Sequence, residues 1–476
     1  MENIKPKVIR SGFWGLGGNW LSRGLGMIKM IILARLLLPL DFGILGLAIL
    51  SINILNVFSE TGIESALVQK QKIGKPELDT AWTIKIIRGL VLFVLLFMCA
   101  RWFASYFDNA SLKPVLKVMA IIFLLEGCTN IGIVFFQKEL EFKKKVILQL
   151  SADVAGFISA LSLAFWLRNV WALVLGSIVW GIVKCLGSFR MHPYRPRIRW
   201  DWPVAKGLLS FGKHIFWISI MTFIVTSGDD ALVGKLLGLT ILGFYTMAYN
   251  IANVPVASLA GVVGKISFPA YSILQNEPER LKEAFKKVFE AVMIILLPLI
   301  GLIFLLAQDF TAVCLGAKWL PMVPALKILC LLGLFRGLTN VFAALHLAVN
   351  RPNIQSRNKT IELVAFLILV YPLTLKWGLV GVSWGVTIVY GISALINTFD
   401  TSRILRPLWK IMAKAFVFPL GILAILLVIF LAIRSFIPLE MDLWRFFSSA
   451  FLCLIAYGGT LVLFKKQLLR DILKSL

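Results

Sequence analysis

Residues 288–308 read VFEAVMIILLPLIGLIFLLAQ, a segment in which Glu290 is the only ionisable side chain. A helix of about 20 mostly apolar residues crosses the roughly 30 Å hydrocarbon layer of a bilayer, so this segment is predicted to span a membrane. The whole chain has the same character, because 59% of its 476 residues are apolar and 15% are charged. In soluble proteins roughly 45 to 50% of the residues are apolar and about 25% are charged. This composition excludes an ordinary soluble enzyme.

The same length test finds fourteen such segments along the chain. They cover residues 12–34, 42–60, 81–103, 115–136, 146–167, 169–189, 209–228, 239–262, 288–308, 324–349, 360–377, 379–399, 412–433 and 446–464. Two of the turns between them, at 167–170 and 376–378, are very short. The predicted fold class is an all-α integral membrane protein of about fourteen transmembrane helices.

The basic residues indicate how these spans are oriented. Lys and Arg number 49 against 24 Asp and Glu, a net charge of +25. With the amino terminus inside, the inner segments with the span ends beside them hold 32 of the 49, the outer segments with the span ends beside them hold 11, and the remaining six lie deeper in the spans. Lys and Arg accumulate in short cytoplasmic loops. The count therefore favours fourteen spans with both termini in the cytoplasm, and it explains the basic charge without a nucleic-acid partner.

Cysteine and histidine give no sign of metal chemistry. The six cysteines and three histidines are scattered and show no metal-ligand spacing or cysteine-rich loop. We therefore expect no metal site, no disulfide framework and no cofactor.

An internal repeat is suggested by matches at an offset of two hundred residues. Apolar matches between apolar helices also arise by coincidence, but a duplicated half is common among transporters. Because six spans is an even number, both copies would enter the bilayer in the same direction, with a cavity between them. The predicted organisation is an amino-terminal lobe (1–207), a carboxy-terminal lobe (208–400) and two additional helices with a basic tail (401–476). The matched residues are Gly12, Leu36, Leu37, Gly43, Ala48 and Asn53 with Gly212, Leu236, Leu237, Gly243, Ala248 and Asn253.

Several local motifs, in their order and spacing, resemble one known family. They are Ile32 to Leu37 with Asp41, Phe42 and Gly43, then Glu60 to Gln69, Gln137 to Lys145, and Ser267 to Pro269 leading to Gln275 and Pro298. This pattern resembles the Wzx-type polysaccharide flippases of the multidrug/oligosaccharidyl-lipid/polysaccharide (MOP) superfamily, most closely the WzxC-like branch.

The resemblance implies a fold of two six-helix lobes, like that of the MATE and other MOP proteins, plus two helices. It also implies a flippase in the bacterial inner membrane that works by alternating access. Its substrate would be an undecaprenyl-diphosphate-linked oligosaccharide, moved from the cytoplasmic to the outer leaflet for exopolysaccharide, O-antigen or capsule assembly. A polysaccharide polymerase and other assembly proteins are the further partners that such a role implies.

Ionisable residues within the spans are the candidate site residues, because each costs at least about 2.5 to 3.5 kcal/mol to insert and normally faces a cavity or a partner. The bases outnumber the acids, so a cavity that they line favours an anion. A lipid diphosphate offers several oxygens for charge-assisted bonds to Arg and Lys. The candidates for binding diphosphate and glycan are Arg23, Lys29, Arg336, Lys213, Lys85 and Arg88, and the deep acids are Glu126 and Asp153.

The two deepest bases, Arg23 and Arg336, have two interpretations. Each lines the substrate path, or each forms a structural ion pair with Glu126 or Asp153. The two acids, Glu126 and Asp153, also have two interpretations. They couple transport to an ion gradient through protonation, or they serve as fixed counter-ions.

The other four bases lie nearer the predicted span ends. Lys29 and Lys213 are within reach of the membrane surface by snorkelling. Lys85 and Arg88 share a helix face at i, i+3, and their position near the inner edge favours an anchor at the membrane surface.

Four other functions compete with the flippase hypothesis. A MATE-like drug or cation antiporter would be expected to have a cavity dominated by acids, whereas this chain offers bases. A lipid II flippase is a second transporter alternative. A polytopic glycosyltransferase or a polysaccharide polymerase would need an exposed acidic motif and usually a large outer loop, and every predicted outer loop is short. The chain is therefore predicted not to be an enzyme.

Overall fold

The computed structural model describes residues 4–59, 62–70, 73–139, 141–262, 264, 267–436 and 442–464. The regular structure in these ranges is helical, which confirms the predicted all-α fold class. The chain forms two compact units, Met1–Gly243 (unit one) and Phe244–Leu476 (unit two). The predicted division at residues 207 and 400 stays a prediction.

The described residues of unit one form ten complete α-helices and the start of an eleventh. They are α1 (Ile4–Leu36), α2 (Pro39–Phe58), α3 (Ile63–Gln69), α4 (Lys75–Tyr106), α5 (Leu112–Met119), α6 (Ile121–Cys128), α7 (Val134–Lys138), α8 (Phe142–Leu167), α9 (Trp171–Met191), α10 (Trp202–Leu236) and α11 (Leu239–Val262), which continues into unit two.

In the part of unit two that the structure describes there are six further α-helices. They are α12 (Phe268–Ile273), α13 (Pro278–Phe310), α14 (Val323–Ala348), α15 (Pro352–Ile404), α16 (Leu408–Phe436) and α17 (Asp442–Phe464).

Nine helical stretches of the described residues are long and apolar enough to cross a membrane, or ten if one bent pair counts as a single span. This agrees with a multi-pass membrane protein. The count of fourteen stays a prediction.

Both of the very short turns predicted from the sequence are present. Arg168 ends α8 in the left-handed conformation (φ 46°), and α9 begins at Trp171. Within α15, Gly378 has φ 56° and ψ −130°, a combination open almost only to glycine. A Cβ added to Gly385 would lie 3.1 Å from the Cα of Val370, so the two parts of α15 fold back on each other at Gly378.

The fourth predicted span, 115–136, is broken rather than continuous. Helices α5 and α6 are followed by a short 3-10 turn and α7, and the direction changes by 68°. Asn130 stabilises the break, because its Oδ1 accepts a hydrogen bond from the Gly132 backbone N–H at 2.8 Å and its Nδ2 donates to the Tyr194 carbonyl at 2.8 Å. The break leaves Glu126 near the end of α6 instead of inside a long helix.

The helix boundaries repeat at the offset found in the sequence. The first helix ends at Leu36 and the next begins at Pro39; α10 ends at Leu236 and α11 begins at Leu239. The same pair of helix boundaries, separated by a turn of two residues, therefore occurs twice, two hundred residues apart.

Small residues hold the centre of unit one together. Helix α8 packs along α9 and α1. Leu33 of α1 and Leu37, directly after the helix, join the buried Ala160, Ala164 and Ala172 in one apolar cluster. Small side chains let these helices approach closely, which is how helices associate inside a membrane where lipid is as apolar as leucine.

In unit two, α13 is the helix against which the carboxy-terminal helices pack. Phe285 and Phe289 of α13 stack with Phe342 of α14, at ring-centroid distances of 6.1 and 5.9 Å. Both α16 and α17 pack against α13, and the Tyr457 hydroxyl of α17 donates to the Ile294 carbonyl at 3.3 Å. Helices α16 and α17, predicted from the sequence as two helices additional to the lobes, thus pack within unit two.

Candidate functional site

Unit one contains a cavity of about 400 Å³ that we call the cationic cavity. Residues of α2, α3, α4, α6, α7, α8 and α9 line it. Four of its lining side chains are basic and two are acidic, so the basic groups are in excess. The charged lining residues are Lys85, Arg88, Lys145, Lys184, Glu64 and Glu126.

Two glycines bring α4 and α6 together at this cavity. A Cβ added to Gly89 would lie 2.5 Å from the Phe123 carbonyl oxygen, and one added to Gly127 would lie 3.0 Å from the Lys85 carbonyl oxygen. Only glycine permits such a close backbone approach. The contact places Lys85 and Glu126, which are 41 positions apart in the chain, on the wall of one cavity.

Lys85 forms an ion pair at the edge of the cavity. Its Nζ lies 3.1 Å from Glu64 Oε1, with 17% of the Lys85 side chain exposed against 60% of the Glu64 side chain. The nearby ammonium group lowers the pKa of Glu64, which lies on α3 outside the spanning helices, below its usual value. An ion pair with one such exposed member contributes little, about 0 to 1 kcal/mol. Lys85 can therefore exchange Glu64 for another anion at small cost.

Arg88 is fixed to the end of α2. Its Nε donates to Ser59 Oγ at 3.0 Å, and its Nη2 donates to the Asn56 side-chain and main-chain oxygens at 2.9 and 3.3 Å. These bonds hold the guanidinium group on the cavity wall. The sequence favoured a membrane-surface anchor for Lys85 and Arg88, whereas the structure places both on this wall.

Two lysines of the cavity, Lys145 and Lys184, were missed in the sequence because both were grouped with the inner segments. Lys184 lies over the Trp180 ring, 4.5 Å from its centroid. Lys145 Nζ donates to Gln137 Oε1 at 3.1 Å. One feature of the sequence could have identified Lys184 as a site residue: it lies five residues inside the predicted end of the sixth span.

A second cavity of about 480 Å³, which we call the Asp153 cavity, also lies in unit one. Its wall includes the predicted residues Lys29 and Asp153. Asp153 accepts hydrogen bonds from Ser22 Oγ at 2.7 Å, Gln149 Nε2 at 2.9 Å and Trp180 Nε1 at 2.9 Å. Three neutral donors thus surround this carboxylate.

Arg23 lies on α1, and its Nε is buried without a hydrogen-bond partner. Within the described part of the chain it forms no ion pair with Glu126 or Asp153, and it does not line either cavity. Lys213 lies on α10, and its side chain lies outside the described residues.

Arg336 lies in unit two, on α14. Its Nη1 donates a short hydrogen bond to the Tyr249 hydroxyl. The guanidinium carbon also lies 6.0 Å from the ring centroid of Tyr249 and 5.7 Å from that of Tyr390. Two tyrosines therefore hold this arginine by cation–π contact. Among the predicted residues of unit one whose side chains the structure describes, Lys85, Arg88 and Glu126 share one cavity, and Lys29 and Asp153 share another.

The fold and these cavities define an all-helical, multi-pass membrane protein with charged cavities inside its first unit. The solved structures that it resembles include the lipid II flippase MurJ in an inward closed conformation, with a TM-score of 0.76 and 16% identity over 95% of this chain and 98% of that chain. An inward-facing multidrug transporter of the MATE family, in the MOP superfamily, matches with a TM-score of 0.62 and 16% identity over 82% of this chain and 96% of that chain. These likenesses establish the fold.

The family follows from the sequence match. The model of the family described as polysaccharide biosynthesis protein matches residues 32–324, more than half of the chain, so the chain belongs to this family. Among curated proteins it is similar to the lipopolysaccharide biosynthesis protein WzxC of Escherichia coli strain K12, with 28% identity over 400 residues, 83% of this chain and 81% of that protein. The resemblance to the Wzx-type MOP flippases is confirmed.

Proposed function

We propose that this protein is a flippase for polysaccharide assembly. It moves undecaprenyl-diphosphate-linked oligosaccharide repeat units from the cytoplasmic to the outer leaflet of a bacterial inner membrane by alternating access. Membership of the polysaccharide biosynthesis protein family supports this role, as does the similarity to a lipopolysaccharide biosynthesis protein. Both termini lie in the cytoplasm in this proposal, and a polymerase that uses the delivered repeat units is the expected partner.

The observation that carries the proposal is the excess of basic side chains on the wall of the cationic cavity. A diphosphate bears several negative charges on oxygens that accept charge-assisted hydrogen bonds. The volume of about 400 Å³ lies within the roughly 300 to 1,000 Å³ usual for ligand pockets. It suits a diphosphate with part of the first sugar, while the polyprenyl tail stays in lipid.

Transport of this kind needs no covalent chemistry. The barrier is the loss of hydration when a charged headgroup enters hydrocarbon, and hydrogen-bonding partners inside the protein reduce it. In our proposal Lys85, Arg88, Lys145 and Lys184 supply such partners in unit one.

The other predicted residues keep their proposed roles. Arg23, Lys29, Lys213 and Arg336 remain candidates for contacts along the substrate path. Glu126 and Asp153 remain candidates for ion coupling.

Deletion of the gene tests the proposal in the cell. We expect surface polysaccharide to be lost and lipid-linked repeat units to accumulate in the inner leaflet, where a membrane-impermeant glycan-modifying reagent added outside does not reach them. Normal surface glycan together with altered drug sensitivity would instead support a drug exporter.

Complementation with paired lysine variants tests the cavity. Lys145→Met removes a cavity lysine, whereas Lys144→Met removes its neighbour, which pairs with Glu141 at 2.7 Å outside the cavity. We expect reduced glycan export only from Lys145→Met, at equal amounts of protein in the membrane. Equal export by both variants would contradict the assignment of the cavity to the substrate.

A further inference from the structure

Helices α9 and α10 are joined by residues 192–201, a segment that we call the basic linker, with the sequence HPYRPRIRWD. Proline fixes its own φ and keeps the residue before it out of the helical region, so Pro193 and Pro196 prevent a continuous helix here. The backbone is extended at both ends of the linker, with φ −121° and ψ 130° at His192 and φ −122° and ψ 109° at Asp201. The sequence thus favours an extended connection.

Hydrogen bonds fix the basic linker to the beginning of α4. The Arg197 backbone N–H donates to Asp79 Oδ1 at 2.8 Å, and the Arg199 backbone N–H donates to Thr83 Oγ1 at 3.0 Å. The Tyr194 hydroxyl donates to the same Asp79 oxygen at 2.5 Å. Asp79 and Thr83 are four positions apart and therefore share a face of α4. The linker lies along this face in a fixed register.

The basic linker is also attached to the break in the fourth span. Asn130 Nδ2 donates to the Tyr194 carbonyl at 2.8 Å. The His192 ring stacks on the Phe135 ring, with the two centroids 5.6 Å apart. A segment held in this way loses little further conformational freedom when it binds a ligand, and such preorganisation strengthens binding.

Three arginines of the basic linker form a row of exposed positive charge. Arg195, Arg197 and Arg199 alternate along the chain, and all three side chains are exposed. At a rise of about 3.3 Å per residue, neighbouring members of the row are about 7 Å apart. Among the residues that the structure describes, none of the three forms an ion pair with an acid. Arg195 Nη1 donates to two backbone carbonyls of the linker, but a guanidinium group has five N–H donors.

Large apolar side chains are exposed beside these arginines. Trp200, Trp202 and Ile198 are 49%, 65% and 78% exposed. The two indole rings lie close together, with centroids 6.0 Å apart. Tryptophan is enriched where a membrane meets water, and basic side chains are attracted to anionic lipid headgroups. The combination of exposed arginine and tryptophan therefore matches a membrane surface better than it matches bulk water.

The position of the basic linker agrees with this match. It joins the ends of two helices, and its acceptors Asp79 and Thr83 lie within the first three turns of α4, a helix long and apolar enough to span a membrane. We propose that residues 195–202 form a binding site for anionic phospholipids of the adjoining leaflet. The three arginines bind the headgroup phosphates, while the tryptophans and Ile198 enter the interface beneath them. In the orientation proposed above, this leaflet is the cytoplasmic one.

The phospholipid site is separate from the cationic cavity. None of residues 192–202, all of which the structure describes, lines that cavity. The chemistry also differs, because a phospholipid phosphodiester presents a single charge at the membrane surface. Guanidinium groups pair with such phosphates through two parallel hydrogen bonds. Each base near an anionic surface strengthens the attraction about fivefold.

The test counts lipids bound to the purified full chain in detergent by native mass spectrometry. Phosphatidylglycerol is the anionic probe, and phosphatidylcholine, whose headgroup has no net charge, is the comparison. The triple variant Arg195→Gln/Arg197→Gln/Arg199→Gln should bind phosphatidylglycerol about 10- to 100-fold more weakly than the unaltered protein. Its binding of phosphatidylcholine should stay within about twofold. Equal affinity of the triple variant and the unaltered protein for phosphatidylglycerol would overturn the proposal.

A matched control removes the same amount of charge at the start of α13. It carries Arg280→Gln, Lys282→Gln and Lys286→Gln, three bases that each pair with an acid three positions earlier. If only total charge attracted the lipid, the control would lose as much phosphatidylglycerol binding as the linker variant, and the proposed site would be refuted. We expect the control to stay within about threefold of the unaltered protein.

Thr83→Val tests whether the fixed geometry of the linker matters. This change removes the oxygen that accepts from the Arg199 N–H and keeps every arginine. We expect phosphatidylglycerol binding about 2- to 10-fold weaker, because one hydrogen bond that orders the linker is lost. Unchanged binding would contradict a site built by the docking of the linker on α4.

Titration with geranylgeranyl diphosphate separates the phospholipid site from the proposed substrate site. The linker triple variant should bind this probe as tightly as the unaltered protein does, because the cationic cavity is intact. A loss of diphosphate binding as large as the loss of phosphatidylglycerol binding would place the three arginines in the substrate site. That result would overturn the phospholipid site and leave the flippase proposal standing.

Discussion

Replacement of Lys85 by methionine should weaken diphosphate binding by about 5- to 30-fold. Lys85 Nζ lies on the wall of the cationic cavity, and a hydrogen bond from a charged group contributes about 1.5 to 3 kcal/mol. To bind the ligand, Lys85 must give up its contact with Glu64 Oε1 at 3.1 Å. Such an ion pair contributes about 0.2 to 1 kcal/mol when exposed. The difference is about 0.5 to 2.8 kcal/mol, and the middle of this range, about 1 to 2 kcal/mol, corresponds to the stated change in Kd.

Calorimetric titration of the purified chain with geranylgeranyl diphosphate measures this effect directly. Glu64→Gln provides the opposite change, because it removes the competitor for Lys85 and should tighten binding by about 1.5- to 5-fold. Lys144→Met, a lysine outside the cavity, should leave the Kd within about twofold of the unaltered value. A Lys85→Met protein that binds as tightly as the unaltered protein would refute the reasoning, as would equal weakening by Lys144→Met.

Two further predictions concern stability. Gly89→Ala should destabilise unit one by about 1 to 3 kcal/mol, because the added methyl would lie 2.5 Å from the Phe123 carbonyl oxygen and force α4 and α6 apart. Thermal unfolding in detergent measures this, with Gly421→Ala as the control, since a Cβ there meets nothing within 4 Å. The ion pair of Glu64 with Lys85 should add stability that depends on pH. The folded pKa of Glu64 is lowered by the Lys85 charge, so the contribution is present above the unfolded value of about 4.3 and disappears as the pH falls through the lower folded value. Melting temperatures of the unaltered protein and Glu64→Gln should converge in acid, and a difference that stays constant down to pH 3 would contradict this.

The membrane character and most helix positions could be predicted because the relevant signals are local. A run such as 288–308 must be helical in lipid, where every backbone N–H and C=O needs an internal partner. The break in the fourth span was not predicted. Asn130 was a visible signal for it, because asparagine side chains compete for backbone hydrogen bonds and favour caps over helix interiors.

The candidate site was predicted only in part. The sequence singled out Lys85, Arg88 and Glu126 as costly charges within spans, and all three line the cationic cavity. It did not single out Lys145 or Lys184, because the distance of a charge from a span end does not tell which way its side chain faces.

The amino-acid sequence by itself determined that this is a basic, multi-pass helical protein with several cations inside its predicted spans. Hydrophobic length and charge distribution are enough for that conclusion, because the bilayer imposes the same constraint on every segment. Only the tertiary structure decided which charges meet. Gly89 and Gly127 join α4 to α6, and Gln149 and Trp180 connect Asp153 to the cationic cavity. Such groupings depend on contacts between helices distant in the chain, and no pattern within a single span encodes them.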